Sequence, residues 1–447
     1  MLKKVQPQTE HPVETLTSSD HPIATTDISR GSSQVVEILQ DAGFEAYLVG
    51  GCVRDLLLNL HPKDFDVATS ATPEQVKKLF RNARIIGRRF RIVHVRLNRE
   101  ITEVTTFRGQ HREQAVNQED GRVLSDNVYG DLYTDAMRRD FTMNALYYDP
   151  AKEEIKDFCG GVTDIEARQV RMIGDPTTRY QEDPVRLLRA VRLAAKLNFE
   201  IEPATAEPID KLGQLLVNVP AARLFDESLK LLMSGYAEVT WQRLNDQHLI
   251  QYLFPATQHV LELGTDRYSP EQLIQQACRN TDHRIHTQQR VTPAFIFAVI
   301  LWPAVAAEQA ALIEEGQPPP AAMHQAIHLV ISEQIQHIAI PRRFTNTMRE
   351  IWELQLRLPK RYGSQAFRLM QHPRFRAAYD FLLLREEAGE ALEGLGQWWT
   401  DFQAAEEADR KTMVSALSNN RPNSTRNKKG RSRRRRPPAG SKQQRHP

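Results

Sequence analysis

"YLVGGCVRDLLLNLHPKDFDVATS", Tyr47–Ser70, brings a Gly-Gly pair, an Arg-Asp and an Asp-x-Asp together in one short stretch. The apolar "AYLV" reads as a strand, the glycines as a turn, "VRDLLLN" as a helical piece and "DFDVAT" as a second strand. A strand's period of two sends Asp64 and Asp66 to one face and Phe65 and Val67 to the other. Two carboxylates so placed repel and raise each other's pKa, which makes them poor structure and good ligands for a hard divalent cation. Mg²⁺ prefers such oxygen donors and keeps coordination positions open for phosphate oxygens. Asp64 and Asp66 are therefore read as catalytic metal ligands.

Phosphoryl transfer on two metal ions asks for a third carboxylate, and "REITEVTTF" offers Glu103 on the same strand face as Thr105 and opposite Val104. A lone solvent-facing strand glutamate would be the plainer reading; the neighbouring Asp-x-Asp favours a ligand or general base. Upstream, Gly50 and Gly51 fall between a strand and a helix, where glycine lets backbone N–H groups approach a phosphate and the helix start adds positive potential. The pattern is neither a dinucleotide fingerprint nor a P-loop. Arg54 is a candidate for phosphate contact, with Asp55 holding it or the helix start. Cys52, in an apolar helix start, reads as packing.

Away from this stretch, "SSQVVEILQDAG" predicts a helix capped by Ser32 or Ser33 and ended by Gly43. Further β-type runs, "RIVHVRL", "ITEVTTF" and "NALYYD", make the first third α+β. From "DPVRLLRAVRLAAKLNF" onward the spacing is helical and strand signals cease. The expected organisation is a disordered arm over 1–30, a catalytic head over 31–160, a helical neck over 161–255, a helical RNA-binding body over 256–410 and a disordered tail over 411–447. Within the body, "PRRFTNTMREIWELQLRLPKRYGSQAFRLMQHPRFRAAY" interleaves basic residues with Phe344, Trp352, Tyr362, Phe367 and Phe375, a mixture suited to phosphates and stacked bases. The segment Arg108–Asn127 reads as a linker.

The chain has 447 residues, 40% hydrophobic and 26% charged, a balance expected of two or three packed units. Three scattered cysteines, without zinc spacing, indicate a reducing compartment. The N-terminus lacks the apolar core of a signal peptide, so a cytoplasmic protein is expected. The uncharged run Val291–Ala307 contains Pro293 and Pro303 and is shorter than a membrane span of about 20 residues, which makes it a buried helix with no transmembrane segment. The net charge of +3 conceals an asymmetry: residues 421–447 hold 11 Lys and Arg and no acid, leaving 48 basic against 56 acidic residues elsewhere. A solvated tail built around Arg433, Arg434, Arg435 and Arg436 seeks a polyanion, a nucleic acid being favoured over a merely solubilising tail or an anionic membrane surface.

Four blocks in order, "LVGGCVRD", "KDFDVATS", "RRDFTMNALYYD" and "YQEDPVRLLRAVRLAAKLNF", resemble the class II nucleotidyltransferases of the polymerase-β superfamily, the family of bacterial poly(A) polymerases and CCA-adding enzymes. The resemblance implies a polymerase-β-like head with a small mixed sheet, an all-α neck and body and a basic tail. It also implies two Mg²⁺ ions on Asp64 and Asp66, with Gly50 and Gly51 cradling the triphosphate of ATP. Arg139, Asp140 and Asn144 would lie near the incoming nucleotide, with Asp140 a candidate for the ribose hydroxyls. Asp183, Arg186 and Arg189, at i, i+3 and i+6 of a helix, would read the base edge, with Arg192 shaping the site. A solvated helix face would explain the intervening leucines equally well, but not the clustering of arginines toward the head.

"IIGRRFRIVHV", Ile85–Val95, resembles the stretch that separates the poly(A) polymerases from their CCA-adding relatives, with Gly87 as the turn and Arg88, Arg89 and Arg91 as added positive charge. The basic tail agrees, since a tail-adding polymerase must hold unrelated RNA 3′ ends through sequence-independent phosphate contacts. The expectation is a monomeric polynucleotide adenylyltransferase acting on RNA 3′ ends and ATP. A CCA-adding enzyme is the alternative, and an inactive head serving an RNA-binding protein the distant one.

Overall fold

A computed structural model describes residues 12–87, 91–97, 99–109 and 128–419. Arg88, Arg89, most of the segment Arg108–Asn127 and the tail arginines Arg433, Arg434, Arg435 and Arg436 lie outside the described residues.

The head is built on strands β1 (Glu14–Leu16), β2 (Ala46–Val49), β3 (Asp66–Thr69), β4 (Ala83–Ile86), β5 (Ile92–Leu97), β6 (Glu100–Thr106), β7 (Leu146–Asp149) and β8 (Glu154–Asp157). They form one sheet in the order β1-β8-β7-β2-β3-β6-β5-β4. Only β3 and β6 run parallel, the other neighbours being antiparallel. β2 is buried at every position, as a continuous apolar run in the middle of a covered sheet should be.

Helix α1 (Arg30–Asp41) covers one face, burying Val35, Val36 and Leu39. It starts earlier than the serine pattern predicts. The Ser29 hydroxyl accepts the N–H of Ser32 at 3.2 Å, while Ser32 is buried against Thr102 at 3.0 Å, so the cap is Ser29 and not Ser32 or Ser33. Gly43, with φ +85°, follows the helix end as expected. A second correction concerns the arm: β1 pairs with β8, Glu14 opposite Asp157, so part of the segment read as disordered completes the sheet edge.

The head also holds α2 (Gly51–Leu57), α3 (Pro73–Leu79) and α4 (Leu132–Arg138). The neck contains α5 (Gly161–Glu166), α6 (Pro176–Glu182), α7 (Val185–Leu197), α8 (Pro203–Leu212), α9 (Ala221–Leu232) and α10 (Ala237–Asp246), with a short parallel pair, β9 (Gln169–Val170) and β10 (Glu200–Ile201). Then come α11 (Ile250–Leu253), α12 (Pro255–Leu263), α13 (Pro270–His286), α14 (Pro293–Glu314), α15 (Pro319–His337), α16 (Arg342–Gln355), α17 (Ser364–Met370), α18 (Phe375–Glu387), α19 (Leu395–Ala404) and α20 (Glu407–Asn419). Helix α20 runs past residue 411, so the first part of the segment read as a disordered tail, through Asn419, is helical.

Helix α14 is, among the described residues, the one long and apolar enough to cross a membrane, but Ile296–Val305 are buried inside the body. Trp352 and Phe375, read as stacking platforms, are core residues at 0% and 4% exposure; the Trp352 indole donates to Ala298 O at 3.0 Å. Their helical spacing put them on the inner face, and composition alone could not distinguish a core aromatic from a stacking one.

Candidate active site

The parallel pairing of β3 with β6 sets Asp66 directly beside Glu103. In-register neighbours on adjacent strands stand about 4.8 Å apart and share a face, so the third carboxylate falls where the sequence expected it. Asp64 lies just before β3, outside the ladder, so it reaches the face from a loop and not by strand alternation as predicted. Phe65 nonetheless packs on the core behind the pair.

Asp66 keeps solvent access, yet its carboxyl is pushed up to about 6. Protein crowding around it is the first cause, repulsion from Glu103 the second, and Asp64 adds to both, against the opposing pull of Arg139. Among the described residues no three His, Cys, Asp or Glu side chains stand at metal-ligating spacing. The three carboxylates do offer only hard oxygen donors in mutual repulsion, which a divalent cation would relieve, and in that respect they fit Mg²⁺. His94, a neighbour that sequence reasoning passed over, sits opposite Glu103 on β5 with its Nε2 3.1 Å from Glu103 Oε1.

Gly50 precedes α2 at φ +80°, a conformation that side chains resist, and a Cβ there would meet Arg139 Nη1 at 3.3 Å. Its own N–H is bonded to Leu146 O at 3.2 Å, so Gly50 supplies the turn. The amides of Gly51, Cys52 and Val53 belong to the first helical turn, which has no intrahelical acceptors for them. Burial pushes the Cys52 thiol up to about 12, in keeping with a packing role.

Arg54 is 4% exposed. Its Nε and Nη2 donate to Asp55 Oδ1 at 2.9 and 2.5 Å, and its Nη1 donates to Asn144 Oδ1 at 2.5 Å. The expected phosphate contact is thus replaced by a bracing role. From Asn144 the network continues: Nδ2 donates to Asp140 Oδ1 at 3.1 Å, and Asp140 Oδ2 accepts Arg189 Nε at 2.7 Å and also its Nη2. Burial alone would raise the Asp140 pKa, but Arg189, Asn144 and the Phe141 N–H together hold it well below the carboxylate range. Lys196, also on α7, bonds Asp55 Oδ2 at 3.1 Å. A closed path of charge-assisted bonds therefore joins the Gly-Gly turn to α7.

Arg139 is gripped by Asp135 Oδ2 and by Tyr147 OH at 3.0 Å. Neither partner was singled out from sequence, although the i, i+4 spacing of Asp135 and Arg139 was a usable signal.

Asp183 is not on the base-reading helix: it caps α6 in extended backbone, φ −149°, and α7 begins at Val185 after Pro184. Its Oδ2 accepts Arg223 Nη2 at 2.7 Å, a partner 40 residues on in α9 that sequence reading missed. Arg186 Nη1 donates to Arg179 O at 2.7 Å and to Glu182 Oε2 at 2.9 Å. Arg192 is half-buried, and its Nε finds no hydrogen-bond partner among the described residues.

A mixed sheet presenting three carboxylates, a glycine turn beside them and a helical neck with an arginine-bearing helix define a nucleotidyltransferase. The fold agrees: the crystal structure of the Bacillus stearothermophilus CCA-adding enzyme in complex with CTP superposes with TM-score 0.57 at 26% identity, covering 87% of this chain and 82% of that one. Family models match as "Poly A polymerase head domain" over 46–171, "Probable RNA and SrmB- binding site of polymerase A" over 198–261 and "Polymerase A arginine-rich C-terminus" over 315–437. Poly(A) polymerase I of Salmonella typhimurium is 48% identical over 407 residues, 89% of this chain and 87% of that protein. That of Haemophilus influenzae is 43% identical over 92% of this chain and 93% of its own length. The CCA-adding enzyme of Lactobacillus helveticus is 38% identical over 50% of this chain and 55% of its own. The chain belongs to the poly(A) polymerase I family.

Proposed function

We propose that the protein adds AMP from ATP to RNA 3′ ends without a template and releases pyrophosphate. The observation that carries this is the in-register Asp66–Glu103 pair with Asp64 beside it, on a chain whose sequence is similar to poly(A) polymerases along nearly its whole length and to the CCA-adding enzyme of Lactobacillus helveticus along half. Mg²⁺ held by Asp64, Asp66 and Glu103 would supply Lewis acidity for the attacking hydroxyl and the departing pyrophosphate. The first-turn amides of α2, with Arg139 beside them, orient the triphosphate. Asp183 and Arg186 offer acceptor and donor groups to the base edge, while Arg189, clamped on Asp140, sets how α7 stands against the head. The protein is read as a cytoplasmic monomer whose tail gathers RNA.

The test is primer extension with Mg²⁺, offering an oligoadenylate and a tRNA lacking its CCA end to ATP, to CTP and to both. Long ATP-only extension of the oligoadenylate is expected; C, C, A addition that stops on the tRNA would overturn the reading.

Arg186→Ala is expected to lower the preference for ATP over CTP by about tenfold, the order of one lost bidentate base contact. Competition between the two nucleotides in single-turnover addition checks this, and an unchanged ratio removes Arg186 from base reading. Truncation after Asn420 removes 11 cationic residues. The slope of log affinity for single-stranded RNA against log salt is expected to flatten by about two units or more, with addition at saturating RNA little changed. An unchanged slope excludes the tail from RNA binding.

A further inference from the structure

The body contains a groove of about 710 Å³ between α13, α14, α16 and α18, none of which supplies a side chain to the head site. Its floor is apolar, with Ala294, Ile351 and Leu384 buried and the rings of Phe295 and Phe344 half-buried. Its exposed rim is cationic: Arg290, Arg343, Arg374 and Arg376, with Arg284 deeper, outnumber Asp380 and Glu387.

The rim arginines are not equivalent. Arg374 is paired with Glu350 at 2.7 Å and Arg376 with Asp380 at 2.9 Å. Arg284 spends its Nε on Arg290 O at 3.3 Å. Arg290 and Arg343 have no ion pair among the described residues, and the Arg343 guanidinium lies 4.8 Å from the centroid of the Phe344 ring. Unpaired cations over an apolar, aromatic-walled recess of this size suit a ligand with a flat apolar body and anionic flanks. A base between two phosphates has that form.

We propose that this groove is a second RNA contact, holding the primer strand upstream of the 3′ end, with one base against Phe344 and Phe295 and the flanking phosphates on Arg290 and Arg343. The inference rests on the proposed function only for the identity of the ligand. It gives the body a grip independent of the head, so that a strand is retained while its end moves through the site.

The experiment measures binding of labelled oligoadenylates of about six and about twenty nucleotides by fluorescence anisotropy without ATP, for the full chain and for Arg290→Glu/Arg343→Glu. Both substitutions are at exposed positions, and matched thermal melting verifies the fold. The loss on the long strand should exceed that on the short one by about tenfold, with a salt slope flatter by about one to two units for the long strand. Equal losses at both lengths, or none, overturn the proposal, the latter meaning that the groove serves another occupant such as a protein segment. Arg343→Lys should restore part of the long-strand affinity, and its failure to do so while charge is conserved would also count against phosphate contact. Primer extension by the unaltered protein is run alongside: absence of AMP addition would sink the proposed function without touching the binding comparison.

Discussion

Asp66→Ala is expected to reduce nucleotide addition by about 10³-fold or more while RNA binding persists, because it removes the group on which the site's charge converges. Glu103 lies beside it in register, and Asp64 and Arg139 act on it electrostatically. A folding defect would mimic this result, but the sign of the Asp66 shift separates the two. Its pKa is higher in the folded state, at about 6 against 3.8. The ionised carboxylate therefore costs stability, with no cost below the unfolded value and the full cost above about pH 6. In metal-free buffer at pH 7, Asp66→Asn should melt at or above the unaltered protein, and the difference should fade toward pH 4. Loss of addition with unchanged or raised Tm identifies a functional carboxylate. Retained addition would remove Asp66 from the metal-ligand set.

The head was legible where local pattern and chemistry coincide. The alternation in "ITEVTTF" and in the second half of "KDFDVAT" located both strands, although β3 begins only at Asp66, and glycine at a strand-to-helix turn located the start of α2. What sequence could not supply was pairing. Nothing local says that Asp140 meets Arg189, that Asp183 meets Arg223 or that Arg54 turns inward to Asn144, since each bond joins segments whose approach is set by packing across the head and neck. Pro184, like the i, i+4 spacing of Asp135 and Arg139, was a missed local signal: it restricts the residue before it and separates Asp183 from α7, which argues against a single helix carrying Asp183, Arg186 and Arg189. The aromatic-rich basic stretch of the body failed for a different reason. Its rings divide between the core, where Trp352 and Phe375 lie, and the groove, where Phe344 lies, and composition has no term for that division.

Asp140→Ala should produce the largest loss of stability among the site variants, because Asp140 ties the head to α7 and was expected from sequence to meet the ribose. Truncation leaves Arg189 Nε and Nη2, Asn144 Nδ2 and the Phe141 N–H without their acceptor. Breaking a buried pair by removing one partner costs about 3–5 kcal/mol. The Arg189 side chain is 32% exposed and can recover some hydration, so about 2–3 kcal/mol is the better expectation. For a unit of this size that is roughly 5–10 °C in Tm. The Asp140 pKa is depressed in the folded state, so its contribution is present above the unfolded carboxylate value and is lost as pH falls through the lower folded one. The unaltered and variant proteins should therefore converge in Tm only below about pH 4. Arg189→Met should cost less by itself, and the double variant should be well short of additive, because each change removes the same bond. Additive losses would show that the clamp carries no coupling. A purely ribose-contacting Asp140 would behave otherwise, leaving Tm unchanged and raising the KM for ATP while sparing that for deoxy-ATP. If Tm and addition fall together and Arg189→Met reproduces part of both, Asp140 acts by fixing α7 against the head, and base selection depends on a bond that never touches the base.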